Sequence, residues 1–161
     1  MRKQSLFTKE RLIYWPDEFA DVVDFLNGRA DDGRIVANPL YSFNTGAIVL
    51  AASIGVKTNR RRDVGAKRKE ISTATFASHG LEPYIFLIPL LGTPDLGTDI
   101  LRPDNEEQLI REFERWAAGG LEVLAGEISD SAGKDADVIV QRLMLPSGSK
   151  GEERNKLPVL I

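Results

Sequence analysis

The chain of 161 residues contains no cysteine and a single histidine. The first absence removes disulfides, thiolate catalysis and thiolate metal sites together, and it agrees with a reducing, cytoplasmic location. The second leaves His79 as the sole histidine available as metal ligand or general base. It stands in Ser78-His79-Gly80, which reads as a turn. No motif supplies it with an orienting partner, so it is read as structural or surface-bound. The acidic pairs Asp31-Asp32 and Glu106-Glu107 lack the spacing of a calcium loop or of a carboxylate–histidine site. Glycine-rich GTPDLGT has no lysine where a phosphate-cradling loop needs one. Pro16-Asp17, Pro94-Asp95 and Pro103-Asp104 are not followed by the Glu-x-Lys or Asp-x-Lys of a metal-dependent nuclease. No residue is therefore assigned to catalysis, to a metal or to a cofactor. Long hydrophobic runs are missing as well. The longest uncharged apolar stretch, Pro83 to Thr93, is interrupted by Pro89 and is about half of the roughly 20 residues a membrane span needs. The start, MRKQSLFTKERL, has charge but no apolar core of secretory length and is not read as a signal peptide.

What is present is a globular composition, with 42% apolar and 28% charged residues, and an uneven distribution of charge. Between Lys57 and Glu70 seven basic residues (Lys57, Arg60, Arg61, Arg62, Lys67, Arg68 and Lys69) face two acids, a local balance of +5. Net charge is −3, so the remainder carries −8. Segregation of this kind, more than net sign, creates a local field. Consecutive arginines splay in a loop and offer planar donors to phosphate oxygens, while Lys67-Arg68-Lys69 adds concentrated charge. These seven residues are the candidate nucleic-acid contacts. Binding through them would be blind to sequence and sensitive to salt, at about −0.9 in slope per neutralised phosphate. No aromatic residue is interleaved with the cations, which favours backbone contact over base stacking. The plain alternative is a solvated loop, or one paired with acids on a protein partner. Guanidinium groups sequestered inside the molecule against its own carboxylates would defeat the DNA reading.

The rest of the chain reads as mainly α with a minor β component: about five helices and one or two short strand pairs. Residues 1–15 form a strand or an extended lead-in whose aromatic end docks on the core. Pro16 opens a first helix with Asp17 and Glu18 in its first turn, burying Phe19, Val22, Val23 and Leu26 and ending at Asn27-Gly28. A short strand is expected at 34–37. A second helix covers Ser42 to Ile54, with Phe43, Ala47, Leu50, Ala51 and Ile54 buried and Gly55 at its end. Glu70 to Thr75 is β-prone. Tyr84 to Leu91 is apolar enough for burial on all sides, or else for an oligomer seam. Asp104, with Glu107 three residues on, caps the clearest helix, whose stripe is Leu109, Phe113, Trp116, Ala117, Gly120 and Leu124. Gly119-Gly120 inside that stripe points to close packing or to a break. DSAGKDAD is a linker, and Asp137 caps a short last element, helix or strand. The expected division is a helical domain over 1–128, then linker, last element and mobile tail over 129–161.

An aromatic followed by a small-residue helix ending AASIGVKTNRRR, then KEISTATF, PYIFLIPL, and DIL before a helix ending ERWAAGGLEVL together resemble a family of small bacterial proteins, the DNA phosphorothioation (Dnd) system-associated protein 4 family. The similarity runs from about Phe43 to Leu124, anchored on Ala51-Ala52 with Gly55, the basic group from Arg60, Ile71, and Ala117 to Leu121. It implies a setting in bacterial defence, beside proteins that replace a backbone oxygen by sulfur or restrict DNA lacking the mark. It carries no catalytic residues to transfer. Residues and resemblance lead to an accessory, non-catalytic protein of a modification and restriction system whose basic segment touches DNA backbone. The alternative is an interaction adaptor that binds proteins of such a system and no nucleic acid. An enzyme with a diffuse carboxylate site is the weakest reading.

Overall fold

The computed structural model describes residues 5–29, 41, 43–130 and 135–145. Among them are six α-helices and one antiparallel strand pair, a compact mainly-α fold. The strand expected at 34–37 and the tail from residue 146 lie outside the described residues.

The fold is built on two helices, α2 (Asn44–Thr58) and α5 (Glu106–Asp130). Small residues bring their backbones together. A Cβ added at Gly120 would stand 1.6 Å from the Ala51 carbonyl oxygen, and one at Gly55 2.1 Å from the Trp116 carbonyl oxygen. As the chain rises from Ala51 to Gly55 in α2 it descends from Gly120 to Trp116 in α5, so the pair is antiparallel. Gly119-Gly120 is therefore a close-packing device, and α5 runs unbroken through it. The expected stripe of α5 is buried throughout. Its start lies one residue later than a cap at Asp104 implies: Asp104 belongs to a 3₁₀ turn, Pro103–Asn105, ahead of the helix.

Gly55 does not end α2. The helix continues for another turn, helped by the Thr58 hydroxyl donating back to the Ile54 carbonyl at 2.7 Å, and stops at Asn59 in the left-handed conformation (φ 55°). Phe43, expected inside, precedes the helix and is exposed, stacked on His79 at 4.1 Å. The Thr45 hydroxyl meets His79 Nδ1 at 2.7 Å, which gives the lone histidine a structural partner.

Around this pair sit the smaller elements. β1 (Leu12–Pro16) pairs with β2 (Arg68–Ser72), Ile13 opposite Ile71 and Trp15 opposite Lys69. The β-prone stretch thus contributes only its first three residues to the strand, which starts within the basic segment. The remainder opens α3 (Thr73–Ser78), capped by the Ser72 hydroxyl. Pro16 closes β1, and a 3₁₀ turn, Asp17–Phe19, leads into α1 (Ala20–Leu26). Phe19, Val22, Val23 and Leu26 are all buried, as the periodicity requires. α6 (Ala136–Met144) settles the last element as a helix.

α4 (Glu82–Gly92) corrects one expectation. Ile85, Ile88 and Pro89 are buried, but Tyr84, Leu87 and Leu91 are exposed, so this apolar helix is covered on one face only. Its C-terminal end meets Trp116, whose indole Nε1 donates to the Thr93 hydroxyl at 3.1 Å while Gly92 leaves room for the ring.

The lead-in is held by two buried carboxylates. Glu82 accepts from the Ser5 hydroxyl and the Leu6 amide, and Glu106 accepts from the Thr8 amide at 2.7 Å and its hydroxyl at 2.8 Å. Phe7 is buried between them, 4.6 Å from the Phe86 ring.

Candidate nucleic-acid interface

The basic segment is a strap that leaves the end of α2, crosses α5 and becomes β2. Gly119 sets the crossing point: a Cβ there would lie 2.0 Å from the Arg60 carbonyl oxygen. The Arg60 amide is bound to the Gly55 carbonyl at 2.8 Å and the Arg62 amide to the Arg115 carbonyl at 3.2 Å. Backbone contacts on both sides thus fix where the first three cations emerge.

They emerge beside acids. Arg61 reaches Glu112 at 3.2 Å, Arg62 reaches both Glu18 and Glu122 at 2.7 Å, and Arg60 lies 3.8 Å from Glu122. Arg61 also lies over the Trp116 ring and Arg62 over Phe19, at 5.1 and 5.2 Å. The side chains keep 64%, 45% and 34% of their exposure in the order Arg60, Arg61, Arg62. The triplet is thus paired with the protein's own carboxylates, but at the surface. The pairs of Arg60 and Arg62 with Glu18 and Glu122 are exposed at both ends and contribute about 0–1 kcal/mol each, whereas Arg61 reaches a carboxylate that is itself buried. Lys57, in the last turn of α2, donates to the Leu145 carbonyl.

After Gly65 (φ 86°) the strap turns and the situation reverses. Lys67, Arg68 and Lys69 are exposed, and among the described residues none of them forms an ion pair. The Arg68 guanidinium sits 3.9 Å over the Tyr14 ring, diagonal to it across the strand pair, and Lys69 lies 5.8 Å from the Trp15 ring. The seven cations expected to act together are therefore divided: Arg60, Arg61 and Arg62 are tied to acids of α5 and of the turn before α1, Lys67, Arg68 and Lys69 are presented at the start of β2, and Lys57 stands apart on the Leu145 carbonyl.

Two further cations join the second group. Lys9 from the lead-in and Arg111 from α5 are exposed without an ion pair among the described residues, and with Arg68 they line a cleft of about 420 Å³. Its other walls include Arg11, Tyr14, Glu107 and Glu114. Arg11 is engaged by Glu106 at 3.5 Å and Glu107 at 3.6 Å. Sequence reasoning missed Lys9, Arg111 and Glu114. The one signal available was the spacing of Glu107, Arg111 and Glu114 on α5, which places them on one flank of the helix beside the buried stripe.

Glu114 accepts the Tyr14 amide at 2.6 Å. Burial pushes its carboxyl up to about 7, against the lowering effects of that hydrogen bond and of Arg68 and Arg111. The folded state therefore holds a proton on Glu114 that the unfolded chain releases above pH 4.5. The associated stability is full below pH 4.5 and is lost as pH rises through about 7. Glu114→Gln, which keeps an acceptor for Tyr14, is expected to raise stability at pH 8 by about 1–3 kcal/mol and to have little effect at pH 4.5. Urea titrations of both proteins at the two pH values check this.

Among the described residues no group of three or more histidine, aspartate or glutamate side chains could hold a metal ion, and no helix is long and apolar enough to cross a membrane. No curated protein and no solved structure matches the chain. A family model does, over residues 16–158, well beyond the stretch from Phe43 to Leu124 that carries the resemblance in the sequence. This chain belongs to the family of DNA sulphur modification system-associated protein 4.

Proposed function

We propose that this protein is an accessory, non-catalytic member of a DNA sulphur modification system that contacts the DNA backbone through Lys67, Arg68 and Lys69, with Arg60, Arg61 and Arg62 as a tethered flank. The observation that carries the reading is the run of three exposed cations at the start of β2, Lys67 just before the strand and Arg68 and Lys69 on it, free of ion pairs among the described residues. An unpaired cation has no internal partner to give up when it meets a phosphate, whereas each arginine of the triplet must exchange one. The family supports the setting, since its members are associated with a system that modifies DNA.

The test is duplex binding across a salt series. Replacing Lys67, Arg68 and Lys69 by glutamate is expected to abolish measurable binding at 150 mM salt. Replacing them by glutamine should reduce the slope of log affinity against log salt by about 3. Absence of salt-dependent duplex binding in the native protein would sink the reading.

A second reading, a protein adaptor within the same system, is favoured by the exposed apolar stripe of Tyr84, Leu87 and Leu91 on α4. Co-purification with proteins encoded beside it, lost on replacing Leu87 and Leu91 by serine and kept on charge reversal of the strap, is the result that would select it.

A further inference from the structure

The cleft between the lead-in, the strand pair and α5 contains more cationic side chains than its own carboxylates engage. We infer that it is a discrete phosphate-binding site, receiving a single phosphate group, of a nucleic-acid backbone or of a free nucleotide, between Lys9, Arg68 and Arg111.

These three cations come from three separate elements, the lead-in, β2 and α5, and converge on one cavity of about 420 Å³. That volume falls within the range of small-ligand sites, roughly 300–1,000 Å³. The acids lining the cleft are largely occupied. Glu10 accepts the Ser72 hydroxyl and Glu107 is paired with Arg11, while Glu114 forms no ion pair among the described residues and feels Arg68 and Arg111 only through their field. Its Oε2 is turned to the Tyr14 amide, which also anchors the cleft wall. Arg68 is held over the Tyr14 ring at 3.9 Å, so the donor on that side is placed before any ligand arrives. The walls are fixed as well, because Glu106 pins Thr8 on one side of Lys9 and Thr73 pins the Arg11 amide at 3.0 Å on the other. Two planar guanidiniums and one lysine lining the same cleft supply the donors that the oxygens of a phosphate accept. Around neutral pH the partly protonated Glu114 repels such a group less than an ordinary carboxylate would.

The inference deepens the backbone-contact reading, on which it rests only for the nucleic-acid source of the phosphate, and the two fail separately. The full chain is titrated with three probes: inorganic phosphate, the dinucleotide TpT (one diester of constant charge), and a 20-base-pair duplex. Amide chemical shifts locate the site. The variants are Arg111→Gln, an exposed position without an ion pair among the described residues, whose unchanged urea midpoint is checked first, and Glu114→Gln. Shifts confined to residues 9–14 and 107–114, with affinity about tenfold weaker in Arg111→Gln and severalfold stronger in Glu114→Gln at pH 8, are expected for at least one probe. If TpT and duplex behave this way the source is a nucleic acid. If inorganic phosphate alone does and the duplex does not bind at all, the site stands, the source is a free nucleotide or phosphate, and the backbone-contact reading falls. Duplex binding unchanged by both variants yet abolished by charge reversal at Lys67 and Lys69 would overturn the cleft and keep that reading. Absence of binding by all three probes would overturn both.

Discussion

Gly120→Ala is expected to destabilise the protein by about 3 kcal/mol or more, although alanine is the better helix former by about 1 kcal/mol. The reason is the antiparallel contact of α2 and α5. The new methyl would stand 1.6 Å from the Ala51 carbonyl oxygen, which belongs to helix backbone and has no rotamer by which to move aside. Relief requires the two helices to separate, which loosens the buried stripe from Leu109 to Leu124 along with the apolar side chains of α2. Gly126→Ala is the matched control. It lies in the same helix with nothing within 4 Å of an added Cβ, so there the substitution should stabilise by up to about 1 kcal/mol. Urea denaturation of the two variants gives opposite signs if the helices touch as described. Two stabilised variants would mean that they do not.

The second large effect belongs to Glu106. Its carboxylate is buried and serves Thr8 through two donors and Arg11 through one ion pair. Glu106→Ala leaves an amide, a hydroxyl and a mostly buried guanidinium with fewer acceptors, an expected loss of about 3 kcal/mol. Neighbouring Glu107 also faces Arg11, but its side chain is 78% exposed, so Glu107→Ala should change stability by no more than about 0.5 kcal/mol. Glu106→Gln keeps an acceptor for Thr8 and loses the charge, and should fall between the two. Thermal unfolding of the three variants ranks them. Amide exchange at Thr8 should accelerate in Glu106→Ala alone.

How far the sequence reveals these features depends on whether the cause is local. The stripe of α5 is legible because a 25-residue helix with one apolar face repeats its signal over many turns. The end of α2 is not. Gly55 looks like a terminating glycine followed by polar residues, yet its missing side chain serves the Trp116 carbonyl, a contact made 61 positions away. Nor does α4 declare its exposed face, since Tyr84, Leu87 and Leu91 are as apolar as the buried Ile85 and Ile88 and leave no periodicity to read. At the candidate site the cationic run is visible as composition. Its division into tethered arginines and unpaired strand residues is set by Gly119 and by the acids of α5 and the turn before α1, none of them adjacent in sequence. The same holds for Lys9, Arg111 and Glu114, which meet only because β1 lies against α5.

A sheet of two strands has two outer edges, and here they are treated differently. On β1 the carboxylate of Glu114 occupies the Tyr14 amide, which blunts that side. On β2 the outer edge faces solvent, flanked by Lys67, Arg68 and Lys69. Like charges brought together along that rim would repel a second molecule attempting to extend the sheet. The cationic strand is thereby expected to disfavour self-association through its own backbone, and apolar replacements there should promote it even where the fold itself is untouched.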